Sequence, residues 1–133
     1  MVENSQLILK TDVEEAVIFA EPDLLKTVLL NLLDNGRKAI DGKGVLKLSG
    51  RTVSGAYAFC VSDTGKGMAP EELSRITEAF YMIDKSRARK QGGAGLGLSV
   101  CAEIVKRHGG TLEFESRETV GTTVRLFLPE EEQ

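Results

Sequence analysis

The stretch from Val61 to Gly67, VSDTGKG, closes an apolar run with an aspartate and two glycines. Residues 58 to 61 are apolar, so we expect a buried strand ending at Asp63, whose carboxylate needs a partner there. Gly65 and Gly67 let the backbone turn tightly and approach a ligand where a Cβ atom would collide. A carboxylate accepts a hydrogen bond from an exocyclic amine such as that of adenine, and the glycines leave room for a flat ring. The structural alternative is an ordinary Asp-Thr-Gly turn after a strand.

Length and composition limit the class of protein. A chain of 133 residues is long enough for one buried core, so we expect a single domain over residues 1–133. The net charge of -3 predicts no nucleic-acid partner. No apolar run approaches the roughly 18 residues of a membrane span, and the N-terminus has no signal-peptide pattern. Cys60 and Cys101 lie in apolar runs without metal-ligand spacing. We therefore expect a cytoplasmic domain with reduced cysteines and no direct membrane contact.

Apolar periodicity predicts a chain of alternating strands and helices. Strands are expected over residues 6–10, 16–20, 45–53, 57–62, 111–116 and 122–128, and helices over 24–40, 70–76 and 98–107. The first two strands are expected to pair with each other. The third and fourth are expected to form a hairpin about Ser54-Gly55 that leads to Asp63. The polar segment from Asp84 to Gly95 is long for a connection in a compact domain, which favours a mobile functional segment.

One face of the first helix carries polar residues beside the apolar stripe. Asn31, Asn35 and Lys38 follow at i, i+4 and i+7, so they project from one narrow face. Asparagine is a mediocre helix former, so a local function should compensate for it. An Asn carbonyl oxygen suits Mg²⁺, and a lysine one turn further can neutralise phosphate. The alternative is the polar flank of an ordinary amphipathic helix.

A glycine-rich run, Gly92 to Gly97, leads into the last predicted helix. Glycines at a helix N-terminus leave backbone N–H groups open at the positive end of the helix dipole, which suits phosphate oxygens. The run matches neither the P-loop nor the dinucleotide-binding fingerprint. The alternative is a glycine-rich hinge.

Four segments together resemble the boxes of histidine kinase ATP-binding domains. Residues 31–38 resemble the N box, residues 63–67 the G1 box, residues 80–92 the F box and lid, and residues 93–98 the G2 box. His108-Gly-Gly followed by Gly121-Thr-Thr resembles the closing strands. The resemblance covers essentially the whole chain in the right order. It implies an α+β fold, the two-layer α/β sandwich called the Bergerat fold, with a mixed β-sheet, helices on one face and an ATP lid. Gyrase-type topoisomerases, heat-shock chaperones and mismatch-repair ATPases share this fold.

The resemblance also implies roles on the phosphate side of an ATP site. Asn35 would ligate Mg²⁺, and Asn31 would be a neighbouring polar contact to metal-bound water or phosphate. Lys38 would contact the phosphates, and Arg87 of the lid would reach the γ-phosphate. The residues expected to wrap the phosphate chain are Gly93, Gly95, Leu96 and Gly97.

On the base side, the resemblance implies that Asp63 accepts the adenine amino hydrogen. Gly65 and Gly67 would shape the base pocket, and Thr122 would support Asp63 through water. Two positions depart from the family pattern. Gly36 stands where alanine is usual, at a cost in helix stability of about 0.5 to 1 kcal/mol. Ala39 stands where many members carry a larger side chain near the base, which would loosen nucleotide packing.

The expected function follows from the resemblance and from one absence. The only histidine, His108, lies in the turn after the last helix and has no acidic neighbour to act as a base. The resemblance therefore implies an ATP-binding catalytic domain of a two-component histidine kinase. It would transfer the γ-phosphoryl of Mg-ATP to a histidine on a separate helical dimerisation and phosphoacceptor domain, with a response regulator downstream. The domain itself is expected in the cytoplasm, with a parent protein that is either free or anchored to the membrane. The alternatives are a serine/threonine kinase of the anti-sigma-factor type and an ATP-gated binding module without phosphoryl transfer.

Overall fold

The computed structural model describes residues 6–82 and 93–130, which form five strands and three helices. In chain order the elements are β1 (Gln6–Val13), α1 (Pro22–Ala39), β2 (Lys43–Val53), β3 (Ala56–Asp63), α2 (Pro70–Met82), α3 (Gly93–Arg107), β4 (Thr111–Arg117) and β5 (Gly121–Pro129).

The strands form one mixed sheet in the order β1-β2-β3-β5-β4. β1 runs parallel to β2, and the other three neighbouring pairs are antiparallel. The predicted hairpin of β2 and β3 is confirmed, and Gly55 in its turn has a φ of 75°, a left-handed conformation that glycine adopts without strain. Because β3 lies in the middle of the sheet, Asp63 at its end is placed beside two neighbouring strands.

The helices cover one face of this sheet. α1 packs on β2 and β3, while α2 and α3 pack on β4. Alternate residues of the central strands, such as Val61 and Leu126, face the helices and are buried with Val28 of α1 and Cys101 of α3. Residues between them, such as Arg125, face the opposite side of the sheet. The predicted α+β sandwich with a mixed sheet and helices on one face is therefore confirmed.

The predicted strand over residues 16–20 is wrong. This segment is irregular, and β1 pairs instead with β2, which follows α1 in the chain. Parallel neighbours need a crossover connection, so the chain must leave the sheet after β1 to reach the helical layer. The backbone N–H of Glu14 still donates to the carbonyl oxygen of Gly50, 2.9 Å away, and Ile18 packs against the core. The β-propensity of this run is overridden by its place in the crossover.

Two helices are longer than the sequence indicates. α2 continues past Ile76 to Met82, and α3 begins at Gly93 rather than at Leu98. Intrinsic propensity is a weak guide at helix ends, since low-propensity glycines are tolerated in a first turn. Gly93 and Gly95 therefore lie in the first turn of α3, where the N–H groups have no partner within the helix. Most of the expected lid segment, residues 83–92, lies outside the described residues.

Candidate functional site

Three residues from neighbouring strands form a row at one end of the sheet. Asp63 of β3 is the cross-strand partner of Thr122 of β5, and Thr122 is in turn the partner of Ser116 of β4. Asp63 and Thr122 both line a cleft between the sheet and the helices. The row joins two predicted site residues to a serine that the sequence does not single out.

Asp63 is a half-buried carboxylate held by the backbone. Its Oδ1 atom accepts a hydrogen bond from the N–H of Gly65, with an O to N distance of 2.8 Å. Burial raises the pKa of this carboxyl above its ordinary value, while hydrogen bonds from the backbone N–H groups of Gly65 and Thr122 act in the opposite direction. The chain thus keeps a hydrogen-bond acceptor at the cleft despite the cost of removing it from water.

The two glycines of the predicted G1 box are required by close approaches of the backbone. A Cβ atom on Gly65 would lie 2.5 Å from the carbonyl oxygen of Ala39, at the end of α1. Gly67 has a φ of 67°, and a Cβ atom there would collide with the carbonyl oxygen of Arg117. Glycine is therefore needed at both positions because backbone segments approach closely there, and the approach to a ligand stays a prediction.

Residues 63–68, named the glycine turn from here on, are anchored on two sides. The N–H of Lys66 donates to the carbonyl oxygen of Ala39 over 3.0 Å, which ties the turn to α1. The carbonyl oxygen of Lys66 accepts from the N–H of Thr119 over 2.7 Å, which ties it to the connection between β4 and β5. The N–H of Met68 donates to Oγ of Ser116 over 2.9 Å. The turn is thus fixed in place by elements far apart in the sequence.

The cleft has a volume of about 370 Å³, within the usual range for small-molecule sites. Its described lining residues are Leu32, Asn35, Gly36, Lys38, Ala39, Val61, Asp63, Lys66, Gly67, Met68, Glu72, Ile76, Phe114, Thr122 and Val124. Apolar side chains supply most of the wall, and Asp63 and Thr122 supply hydrogen-bonding groups within it. This combination suits a flat, mostly apolar ring that carries a polar edge.

Two of the three polar residues predicted on α1 lie at this cleft. Asn35 and Lys38 are both exposed and both line it. The Nζ atom of Lys38 lies 3.1 Å from Oδ2 of Asp34, and the guanidinium of Arg37 lies 2.7 Å from Oδ1 of the same carboxylate. Arg37 and then Lys38 lower the pKa of Asp34. Two cations therefore share one anion beside the cleft, which leaves this end of α1 able to attract phosphate.

Asn31, the third of these residues, is not among the described residues that line the cleft. Its side chain lies beside the thiol of Cys101 on α3. Cys101 is 0% exposed, and burial raises the pKa of its thiol to about 11, with the contact to Asn31 acting in the opposite direction. Asn31 therefore links α1 to the helix that begins with the glycine-rich run.

Several residues of the cleft were not singled out from the sequence. Phe114 and Val124 lie on the helix-facing side of β4 and β5, and Ile76 lies on α2. The sequence patterns that include these residues are the period-two alternation of the last two strands and the apolar spacing of α2. Such patterns predict burial but not contact with a ligand. Arg87 lies outside the described residues, and of Gly93, Gly95, Leu96 and Gly97 the structure describes only the helical backbone.

His108 has a structural role in the described part of the chain. Its Nδ1 atom lies 2.8 Å from the carbonyl oxygen of Ile104, and its Nε2 atom accepts a hydrogen bond from the N–H of Glu21 over 3.0 Å. An acceptor at Nε2 places the ring hydrogen on Nδ1, where it is donated to Ile104. The Nδ1 contact thus holds the ring against α3, and the Nε2 contact ties the end of α3 to the start of α1.

The described residues contain no cluster of three or more His, Cys, Asp or Glu side chains that could hold a metal ion by themselves. Within residues 6–82 and 93–130, no helix is both long and apolar enough to cross a membrane. The exposed side-chain oxygen of Asn35 is of a type that suits Mg²⁺, which takes few protein ligands and keeps several waters.

Comparison with known proteins agrees with this fold. The family model described as histidine kinase-, DNA gyrase B- and HSP90-like ATPase matches residues 20–132. The sensor histidine kinase ZraS of Escherichia coli K12 is 38% identical over 112 residues, which are 84% of this chain and 23% of ZraS. The chain thus spans about a quarter of that relative's length.

Two solved structures share the fold over nearly the whole chain. The catalytic domain of the histidine kinase ThkA has a TM-score of 0.73 and 26% identity, covering 96% of this chain and 79% of that one. Full-length ShkA in complex with AMPPNP has a TM-score of 0.75 and 27% identity, covering 96% of this chain and 26% of that one. The serine/threonine kinase and gated-module alternatives gain no support from these relatives. The chain belongs to the family of histidine kinase-, DNA gyrase B- and HSP90-like ATPases.

Proposed function

We propose that this chain is the ATP-binding catalytic domain of a two-component histidine kinase. The observation that carries the proposal is the cleft itself, where a half-buried Asp63 lies in an apolar wall and Asn35 and Lys38 stand exposed beside it. The carboxylate accepts a hydrogen bond from the amino group of adenine, and the apolar wall packs on its ring. The AMPPNP bound by ShkA supports an adenine nucleotide as the ligand.

The phosphate end is assigned from α1 and from the sequence of the lid. Asn35 and Lys38 would hold the phosphates, and the side-chain oxygen of Asn35 would be a ligand for Mg²⁺. A bound Mg²⁺ would neutralise phosphate charge. The glycines at the start of α3 offer backbone N–H groups to the phosphate chain, and Arg87 reaches the γ-phosphate. Asn31 adds a polar contact next to these groups.

The reaction needs an acceptor that this chain does not carry. In the proposed step an imidazole nitrogen of a partner domain bonds to the γ-phosphorus while the bond from phosphorus to the bridging oxygen breaks, and ADP leaves. The protein's part is mainly to position the reactants and to neutralise charge. His108 is held through both ring nitrogens, which supports an acceptor on a separate helical dimerisation domain. A response regulator then receives the phosphoryl group.

The test is transfer from γ-labelled ATP to the cognate helical domain. The chain alone should take up no label, and the mixture should yield an acid-labile, base-stable phosphate on the helical domain. Asn35→Ala should abolish transfer, and Arg87→Ala should lower transfer more than ATP binding if its contact strengthens in the transition state. Lys26→Ala, on the exposed side of α1, is the matched control and should leave transfer unchanged. Absence of acid-labile label at high concentrations of both domains would refute the kinase assignment.

A further inference from the structure

Ser116 makes three hydrogen-bonding contacts with one hydroxyl group, although nothing in the sequence marks it. Its Oγ atom accepts from the N–H of Met68 over 2.9 Å. The same atom lies 3.2 Å from the carbonyl oxygen of Gly121 and 2.7 Å from Oγ1 of Thr122. Ser116 is partly buried behind the cleft and is not among the described residues that line it.

Only one placement of the hydrogens satisfies all three contacts. A hydroxyl group has one hydrogen to donate and two lone pairs to accept with. The carbonyl oxygen of Gly121 can only accept, so the hydrogen of Ser116 is donated to it. Met68 donates to one lone pair of Ser116, and the other lone pair is left for Thr122. The hydroxyl hydrogen of Thr122 is therefore donated to Ser116.

This placement decides what Thr122 offers to a ligand. With its hydrogen directed at Ser116, the Thr122 hydroxyl can present only lone pairs to the cleft. Its cross-strand partner Asp63 presents a carboxylate oxygen, which is also an acceptor. The two acceptors stand side by side on adjacent strands, so this part of the cleft suits a ligand amino group and is unfavourable to a keto oxygen.

We propose that Ser116 is a positioning residue that sets which nucleotide base the cleft prefers. It lies outside the cleft and acts in two ways: it fixes Thr122 as a hydrogen-bond acceptor, and it holds the glycine turn through Met68. The inference rests on the proposed function and refines the same site. Removing the hydroxyl leaves the Met68 N–H without that partner and frees the Thr122 hydroxyl to rotate. A freed hydroxyl can donate to a keto oxygen. The preference of the cleft for a base with an amino group over a base with a keto oxygen should therefore fall.

The experiment compares ATP with inosine triphosphate, which replaces the amino group by a keto oxygen and keeps the same phosphates. Dissociation constants are measured by calorimetry for the wild type and for Ser116→Ala. We expect ATP affinity to fall about tenfold and inosine triphosphate affinity to change little, so that the affinity ratio falls by about tenfold. Ser116→Thr keeps the hydroxyl and should restore the ratio. Thr123→Ala, one residue from Thr122 and on the opposite face of the sheet, is the control and should leave the ratio unchanged.

The outcomes separate this inference from the proposed function. If the wild type binds no ATP, the proposed function fails. If it binds ATP and Ser116→Ala weakens both nucleotides equally, Ser116 is merely structural and the inference is overturned. If Ser116→Ala does not fold, Thr122→Val supplies the test, because removing the oriented hydroxyl should reduce the same ratio. An unchanged ratio in Thr122→Val would equally overturn the inference.

Discussion

The Oδ1 atom of Asp63 lies 2.8 Å from the backbone nitrogen of Gly65, two residues further along the chain. One oxygen of the carboxylate thus holds the glycine turn, and lone pairs of the carboxylate remain for a ligand. The same contact fixes how an amide would sit in this position, because the Gly65 N–H must face an acceptor. In Asp63→Asn the carbonyl oxygen would take that place and the NH₂ group would face the ligand.

Asp63→Asn should therefore weaken ATP binding and leave the fold intact. A donor would face the adenine amino group, and an unmet hydrogen bond costs roughly 1 to 3 kcal/mol. We expect at least about a tenfold loss of affinity in calorimetric titration, with no decrease in the midpoint of thermal unfolding. Asp41→Asn removes the same charge at an exposed site after α1 and is the control. Unchanged affinity in Asp63→Asn would refute the adenine assignment.

The affinity for ATP should depend on pH because the pKa of the Asp63 carboxyl is raised. Burial raises the pKa of Asp63 above 3.8, so the folded domain takes up a proton at a higher pH than the unfolded chain does. Ionisation of this group therefore lowers stability as pH rises through its folded pKa, whereas ATP binding requires the ionised acceptor. The ratio of wild-type to Asp63→Asn affinity should shrink as pH is lowered from neutrality. The comparison cancels the titration of ATP itself, and a constant ratio down to pH 4 would contradict the raised pKa.

Two glycines with the same backbone conformation should respond differently to alanine. Gly55 and Gly67 have φ values of 75° and 67°, so alanine in either place carries a similar left-handed strain of about 1 to 2 kcal/mol. A Cβ atom on Gly55 meets nothing within 4 Å, whereas one on Gly67 collides with the backbone of Arg117. Urea unfolding should show Gly67→Ala to be less stable than Gly55→Ala by about 2 kcal/mol or more. Only Gly67→Ala should lose ATP affinity, and equal losses of stability would argue against the close approach.

The two cysteines should differ in reactivity. The thiolate is the reactive form, and the pKa of Cys101 is raised to about 11, so little thiolate exists at pH 8. Cys101 is also buried, whereas Cys60 is partly exposed on the open side of the sheet. A thiol reagent should label native protein at Cys60 only. In Cys60→Ala, labelling should require denaturant, and rapid labelling of this variant without denaturant would contradict the buried position of Cys101.

Residues 84–95 should become protected from amide exchange when nucleotide binds. This stretch is polar and glycine-containing, with few apolar anchors after Ile83, and it holds Arg87 and the start of the glycine-rich run. Phosphate contacts to Arg87 and to the first turn of α3 would slow exchange of its amides. Exchange measured by mass spectrometry should slow with Mg-ATP and not with Mg²⁺ alone. Equal exchange in both conditions would argue against a lid.

The sequence by itself determined the local features of this protein. α1, the hairpin of β2 and β3, and the final pair of strands were predicted within a few residues, because apolar periodicity and turn glycines act over short stretches. Asp63 with its glycines was identified in the same way. Asn35 and Lys38 were placed on one face by helical spacing alone, and the structure brings both to the cleft.

Only the tertiary structure decided which distant residues meet. The order β3-β5-β4 places Asp63, Thr122 and Ser116 in one row, and no local pattern encodes that register. Asn31 shares the predicted polar face with Asn35 but contacts Cys101, because α3 packs against that side of α1.

Gly36 shows the same division between sequence and structure. From the sequence it was a residue of the apolar stripe of the helix that costs helix propensity. In the structure a Cβ atom there would lie 2.6 Å from Cδ1 of Leu46, beneath Asp63. Helix propensity belongs to a residue and its immediate neighbours, whereas the space around a residue is set by whichever segments pack on it.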